Sequence, residues 1–138
     1  MKALAECGRY EIDKETLEKI RQSFVGYYTD EQTGAKTIKD TYENKNRLID
    51  THTAVAVSAA DRFMSDNKTA EPMLVVSTAS PYKFAKSVYS AIGGDISGDE
   101  FGIVEALSAD TKTEIPTPIA NLKTAQVRFK NIAEKENK

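Results

Sequence analysis

A chain of 138 residues, 40% apolar and 29% charged, has the balance of one ordinary globular domain and lies well away from a disordered composition. Its formal charge of −2, with mixed signs, gives no basic stripe for a nucleic-acid backbone, and no run is long and apolar enough to cross a bilayer. Met1 leads into KALAECGRYE without the apolar core of a secretory signal, and Cys7 as the only cysteine excludes an internal disulfide, so a cytoplasmic setting is expected.

Residues 9–12 read as a short extended piece. Asp13 can cap a helix that places Leu17, Ile20, Phe24 and Tyr27 on one face, with Glu15, Lys19 and Gln22 toward solvent. Thr29 and Gln32 have the spacing of a capping box and predict a second helix ending near Asn44, with Ile38 and Tyr42 on one side. Gly26 lies between the two, which together read as a helical hairpin.

The stretch RLIDTHTAVAVSAADRF follows. Residues 47–49 suit an extended lead-in, Asp50 suits a helix cap, and Val55, Ala56, Ala59 and Phe63 predict an inward stripe. The polar SDNKTAEP then marks a loop. Met73, Leu74, Val75 and Val76 form a continuous apolar run that suits a strand buried on both faces, with residues 73–77 at the centre of a small, mainly parallel sheet. Pro81 fits the first turn of a helix and Ser80 its cap. Ser77 and Thr78 are thereby placed at the carboxyl edge of a parallel strand, where open α/β sheets bind ligands.

The next helix should carry Phe84, Val88, Ala91 and Ile92 on one face and stop at Gly93 and Gly94. Residues 101–107 suggest another short helix, PTP at 116–118 forces a turn before a brief helix or strand, and NIAEKENK reads as a fraying charged tail. The fold class expected is therefore α/β, a helix-rich single domain over residues 1–138 with a small parallel sheet.

Isolated chemistry-bearing residues are weak signals here. His52, the only histidine, has no carboxylates beside it at metal-ligand spacing and suits a structural role in a first helical turn. Cys7 has no CxxC or histidine partner nearby. The glycines of GGDISGDEF, which loosely resembles a cyclase signature, are explained as helix-stop and loop residues. From the residues alone the reading stops at a soluble α/β domain with a ligand-facing hydroxyl pair, an independent small domain that binds a partner or metabolite at the Ser77–Thr78 edge and is not an enzyme.

Two motifs tip the balance. Asp50-Thr51-His52-Thr53-Ala54-Val55-Ala56, followed some twenty residues later by Ser77-Thr78-Ala79-Ser80-Pro81-Tyr82-Lys83-Phe84, resembles the carboxyl-terminal part of the threonine synthase family. The order of elements from about Gly8 to Leu122 is similar as well. Thr51 and Ser80 stand where family members often carry proline and histidine. The resemblance implies the tryptophan-synthase-β-like fold, pyridoxal 5'-phosphate as cofactor, and conversion of O-phospho-L-homoserine and water to L-threonine and phosphate, a carbon–oxygen lyase reaction. It further implies that a serine or threonine hydroxyl meets the pyridine nitrogen, with Thr78 the first choice and Ser77 the second.

The same resemblance sets limits on this chain. The family's Schiff-base lysine belongs to an upstream S-F-K-D-like segment, and its glycine-rich phosphate loop is upstream too; neither occurs in this sequence, and Lys83 is in the wrong motif. No catalytic residue is therefore assigned. The chain is expected to be a C-terminal fragment of a longer enzyme, inactive and without bound cofactor by itself, whose partners are the missing N-terminal part and a small-molecule substrate, with no nucleic acid or membrane. Apolar surface left by the missing part would favour self-association.

Overall fold

The computed structural model describes residues 2–131; most of the charged tail read at residues 131–138 lies outside them. Seven α-helices appear among the described residues. In chain order these are α1 (Lys2–Cys7), α2 (Lys14–Ser23), α3 (Glu31–Lys45), α4 (Thr51–Asn67), α5 (Ala85–Ala91), α6 (Glu100–Thr111) and α7 (Thr117–Ala120). A 3₁₀ turn, Pro81–Phe84, leads into α5, and another, Asn121–Lys123, follows α7. No helix of the described residues is long and apolar enough to cross a membrane.

Aspartates start the main helices. Asp13, Asp30, Asp50 and Asp99 each sit in extended backbone geometry and accept a backbone N–H from inside the first turn. The cap of α3 is thus Asp30, which accepts from Thr33 N–H at 2.7 Å, and the Thr29–Gln32 box does not form. Carboxylates at these positions also face the positive end of the helix dipole. Asn46, Lys68 and Lys112 close α3, α4 and α6 in the left-handed region, and Gly93 does the same just after α5 with φ +91°.

The core lies where α3, α4, the 3₁₀ turn with α5, and α6 meet. Ile38 comes from α3 and Ala54 from α4; Tyr82, Ala85, Val88 and Tyr89 come from the turn and α5; Ile103, Val104 and Leu107 come from α6. Helices α3 and α4 pack as the hairpin pair, and α5 packs against both α3 and α6. The helical hairpin read for α2 and α3 is therefore displaced by one helix. Helix α2 buries no residue, and it ends before Phe24 and Tyr27, which the helical period alone places on its inner face. Tyr27 instead donates its hydroxyl to Asp66 of α4 at 3.1 Å, and Arg62 of α4 donates to the Tyr28 carbonyl at 3.1 Å, pinning the linker to that helix.

Helix α4 is rotated from its expected phase. Thr53, Ala54 and Ser58 are buried, whereas Val55 is exposed and Ala56, Ala59 and Phe63 are half-buried. Small residues on the inner face let neighbouring backbones approach closely, so size decided the phase over hydrophobicity.

The expected α/β class is overturned. Residues 73–77 form no strand, and no sheet exists among the described residues. Leu74 is 90% exposed and Val76 67%, the reverse of a strand buried on both faces. A strand needs a neighbour whose carbonyl and N–H groups complete its ladder, and an apolar run encodes no such partner. The domain is helical.

Gly94 shows how tightly the end of α5 is packed. A Cβ built there would lie 2.2 Å from Tyr89 Cε2, while one at Gly98 would meet nothing within 4 Å. The Tyr89 ring is buried and its hydroxyl is donated to Asp110. Gly94→Ala should therefore cost about 1–3 kcal/mol of stability by forcing the ring aside. Gly98→Ala should stay within about 0.5 kcal/mol in the same urea-unfolding measurement.

Candidate functional site: the junction of the Asp50 and Ser77 segments

Two segments more than twenty residues apart in sequence meet at the start of α4. Asp50 caps that helix and is fully buried, at 0% exposure. Its carboxylate accepts N–H bonds from His52 at 2.9 Å and Thr53 at 3.3 Å, and a hydroxyl bond from Thr53. Burial pushes the carboxyl pKa up, but the Thr53 hydroxyl and the two backbone donors outweigh it and hold the group below its ordinary value.

Thr53 is the bridge. Its Oγ1 lies 2.9 Å from Ser77 Oγ, so the residue that closes the first turn of α4 also holds the chain just ahead of α5. The aspartate-to-threonine step of three residues is a visible capping pattern, yet nothing in it points to Ser77.

The structure places the two sequence-predicted site residues together on the surface. Ser77 and Thr78 are exposed, and the Thr78 hydroxyl makes no hydrogen bond with the described residues. Ser80 caps the turn that follows, accepting from Tyr82 N–H at 3.3 Å, with Pro81 at its first position. The His52 ring lies tilted against Phe84 with centroids 4.8 Å apart, and its Nδ1 is 3.5 Å from Asp50 Oδ1, at the outer limit of a hydrogen bond. Lys83 holds its ammonium 5.7 Å from the Phe84 ring centroid, a cation–π distance. A groove of roughly 430 Å³ runs beside the junction between α3 and α4; Thr51 and Ser87 line it, and Ser77 and Thr78 do not.

The contact between Thr53 and Ser77 joins the two motifs that carry the family resemblance, and the family comparison agrees. The family described as threonine synthase, C-terminal, matches residues 53–138. The chain belongs to that family. The match begins at Thr53, so the earlier stretch with a similar order of elements lies outside it.

Individual relatives are similar over part of the chain. Threonine synthase of Saccharomyces cerevisiae is 34% identical over 92 residues, covering 63% of this chain and 18% of that protein. Threonine synthase-like 1 of Homo sapiens is 36% identical over 83 residues, covering 60% of this chain and 11% of that protein. Threonine synthase of Pseudomonas aeruginosa is 27% identical over 89 residues, covering 64% and 19%. The chain thus spans less than a fifth of the length of these relatives.

The Asp50 network has a pH signature. Its folded pKa is below the unfolded one, so its contribution to stability is fully present above the ordinary aspartate value of about 4 and is lost as pH falls through the folded value. Thr53→Val removes the hydroxyl donor at constant shape. It should cost about 1–3 kcal/mol at neutral pH, with Thr53→Ser retaining most of the stability. The gap between wild type and Thr53→Val should shrink progressively as urea unfolding is repeated at pH values falling below the ordinary aspartate value, where the depressed Asp50 carboxyl gains its proton. An unchanged gap would show that the threonine stabilises through something other than Asp50.

Proposed function

We propose that this chain is the carboxyl-terminal portion of a pyridoxal-phosphate-dependent threonine synthase, which converts O-phospho-L-homoserine and water to L-threonine and phosphate. The observation that carries the reading is the 2.9 Å contact between Thr53 and Ser77, which sets the family's two motifs against one another. Membership of the threonine synthase C-terminal family supports it. The longer enzyme's remaining part is the partner this reading requires, and the apolar surface at residues 73–76 is where that part, or a second copy, would find cover.

The residues present fit one edge of the cofactor. Ser77 and Thr78 offer neutral hydroxyls, suited to a pyridine nitrogen that carries no permanent proton. Thr78, whose hydroxyl is without a partner among the described residues, is the group that would hold that nitrogen, with Ser77 beside it. The junction has no glycine loop for a phosphate, and Lys83 already lies against Phe84. When bound, pyridoxal phosphate supplies the electron-withdrawing ring on which the reaction depends. This chain's own task is placement: Asp50 and Thr53 fix the start of α4, Ser80 and Pro81 fix the approach to α5, and the hydroxyl pair is held between them.

Two outcomes are expected. The 138-residue chain alone has no threonine synthase activity, because the family's cofactor-linking lysine and its S-F-K-D-like segment are not in it. Borohydride trapping with pyridoxal phosphate should yield scattered, substoichiometric labelling; a stoichiometric adduct on a single lysine would overturn the reading.

In the complete enzyme, Thr78→Val leaves a buried ring nitrogen without its donor at a cost of about 1–3 kcal/mol. Cofactor affinity or turnover should fall by roughly one to two orders of magnitude. Ser80→Ala should lower stability by about 1 kcal/mol and leave the cofactor spectrum alone, as expected of a cap. A Thr78→Val enzyme with unchanged affinity, spectrum and turnover would return that hydroxyl to a merely structural role.

A further inference from the structure

We propose that Asp50 is a positioning residue that sets the direction of the hydroxyl protons along Asp50, Thr53 and Ser77, making Ser77 an acceptor toward a ligand and leaving Thr78 as the donor of the pair. The proposal rests on the reading that this pair faces the cofactor's ring nitrogen. It gives a physical ground for the order in which the resemblance ranks the two adjacent hydroxyls, Thr78 before Ser77.

A count of protons fixes the direction. A hydroxyl has one hydrogen to donate and two lone pairs to accept with, whereas an ionised carboxylate only accepts. Asp50 is fully buried and surrounded by three donors: the N–H groups of His52 and Thr53 and the hydroxyl of Thr53. The one hydroxyl proton of Thr53 is thus committed to Asp50. Its 2.9 Å contact with Ser77 then requires Ser77 to donate. Ser77 has only lone pairs left for a ligand, which suits an N–H or O–H group. Thr78, with no hydrogen bond among the described residues, keeps its proton for an unprotonated nitrogen.

Helix capping alone would not need an aspartate. Asparagine caps as well as aspartate does. The two backbone donors use Oδ1 and the Thr53 hydroxyl uses Oδ2, so in Asp50→Asn the side-chain oxygen can keep the cap while the amide nitrogen takes the Oδ2 place. A donor at that place reverses the order. Thr53 then accepts from the amide and donates to Ser77, and the Ser77 proton is released.

Proton NMR of the Thr53 and Ser77 hydroxyls in the full ligand-free chain tests the order directly. In the wild type the Ser77 hydroxyl proton should be protected from exchange and show a cross-relaxation peak to Thr53. In Asp50→Asn, with the helix intact by circular dichroism, it should exchange about tenfold faster. Thr53→Val, which leaves Ser77 nothing to donate to, should do the same if Asp50→Asn does not fold. Equal exchange in all three, or a Thr53 proton directed at Ser77 in the wild type, would overturn the proposal.

The ligand side is read from the complete enzyme loaded with pyridoxal phosphate labelled with nitrogen-15 in the ring. Thr78→Val should move the ring-nitrogen resonance and Ser77→Ala should not. Adding Asp50→Asn to Thr78→Val should move it back part-way, since Ser77 then has a proton to give. A resonance moved by Ser77→Ala and untouched by Thr78→Val would overturn the assignment of donor and acceptor. If the ring nitrogen responds to neither while the hydroxyl protons keep the predicted order, the order of protons stands and the cofactor reading fails.

Discussion

A carboxylate with no access to water is tolerated only while donors surround it, and the arrangement of this domain around Asp50 follows from that constraint. Three hydrogen bonds hold the group, and all three come from the first turn of α4. They fix where that helix begins. Ala54, one residue further on, is fully buried in the core shared with α3, α5 and α6, so the cap and the core lock the same turn from two sides. Ser77 is then caught by a hydroxyl that Asp50 has already oriented.

The result is a site whose two halves stand where two helices begin. The Asp50 half opens α4, and the Ser77–Thr78 half precedes the Ser80 cap and the turn into α5. Both helix starts belong to the packed part of the molecule, so the hydroxyl pair is placed by rigid elements, which is what a binding group requires. Helices α1 and α2 stand apart from this: among the described residues neither contributes to the buried core, and the family match begins after them.

What is legible in the sequence follows a physical division. Local chemistry can be read directly: Asp13 and Asp50 as caps, Ser80 with Pro81 at the approach to α5, and the glycine stop after it, because a cap depends on a few neighbouring residues. Even the error at α3 has a legible cure. Asp-x-x-Thr opens α2, α3 and α4 alike, at residues 13–16, 30–33 and 50–53, and that repetition favours Asp30 over Thr29. Features that depend on partners are not legible. The phase of α4 differs by about one residue, which is roughly 100° on a helix, because its neighbours select Ala54 and Ser58 for their size. The run at residues 73–77 reads as a buried strand on its own pattern, but pairing and burial both have to be supplied by something else, and in this chain they are not. Ser77 and Thr78 are singled out by the motif; the tie of Ser77 to Asp50 through Thr53 needs coordinates.

The irregular, exposed run ahead of Ser77 also governs how the protein can be handled. A protease needs a length of backbone that it can draw out straight into its cleft, and residues 73–76 offer one that no helix holds and whose side chains largely lack cover. A single cut there would fall between the two halves of the junction. Helices α3 and α4 would remain on one product, α5 and α6 on the other, joined by core contacts and by the Thr53–Ser77 hydrogen bond. The two pieces would co-purify as a nicked complex with Ser77 still seated against α4, and only denaturing electrophoresis would reveal the break.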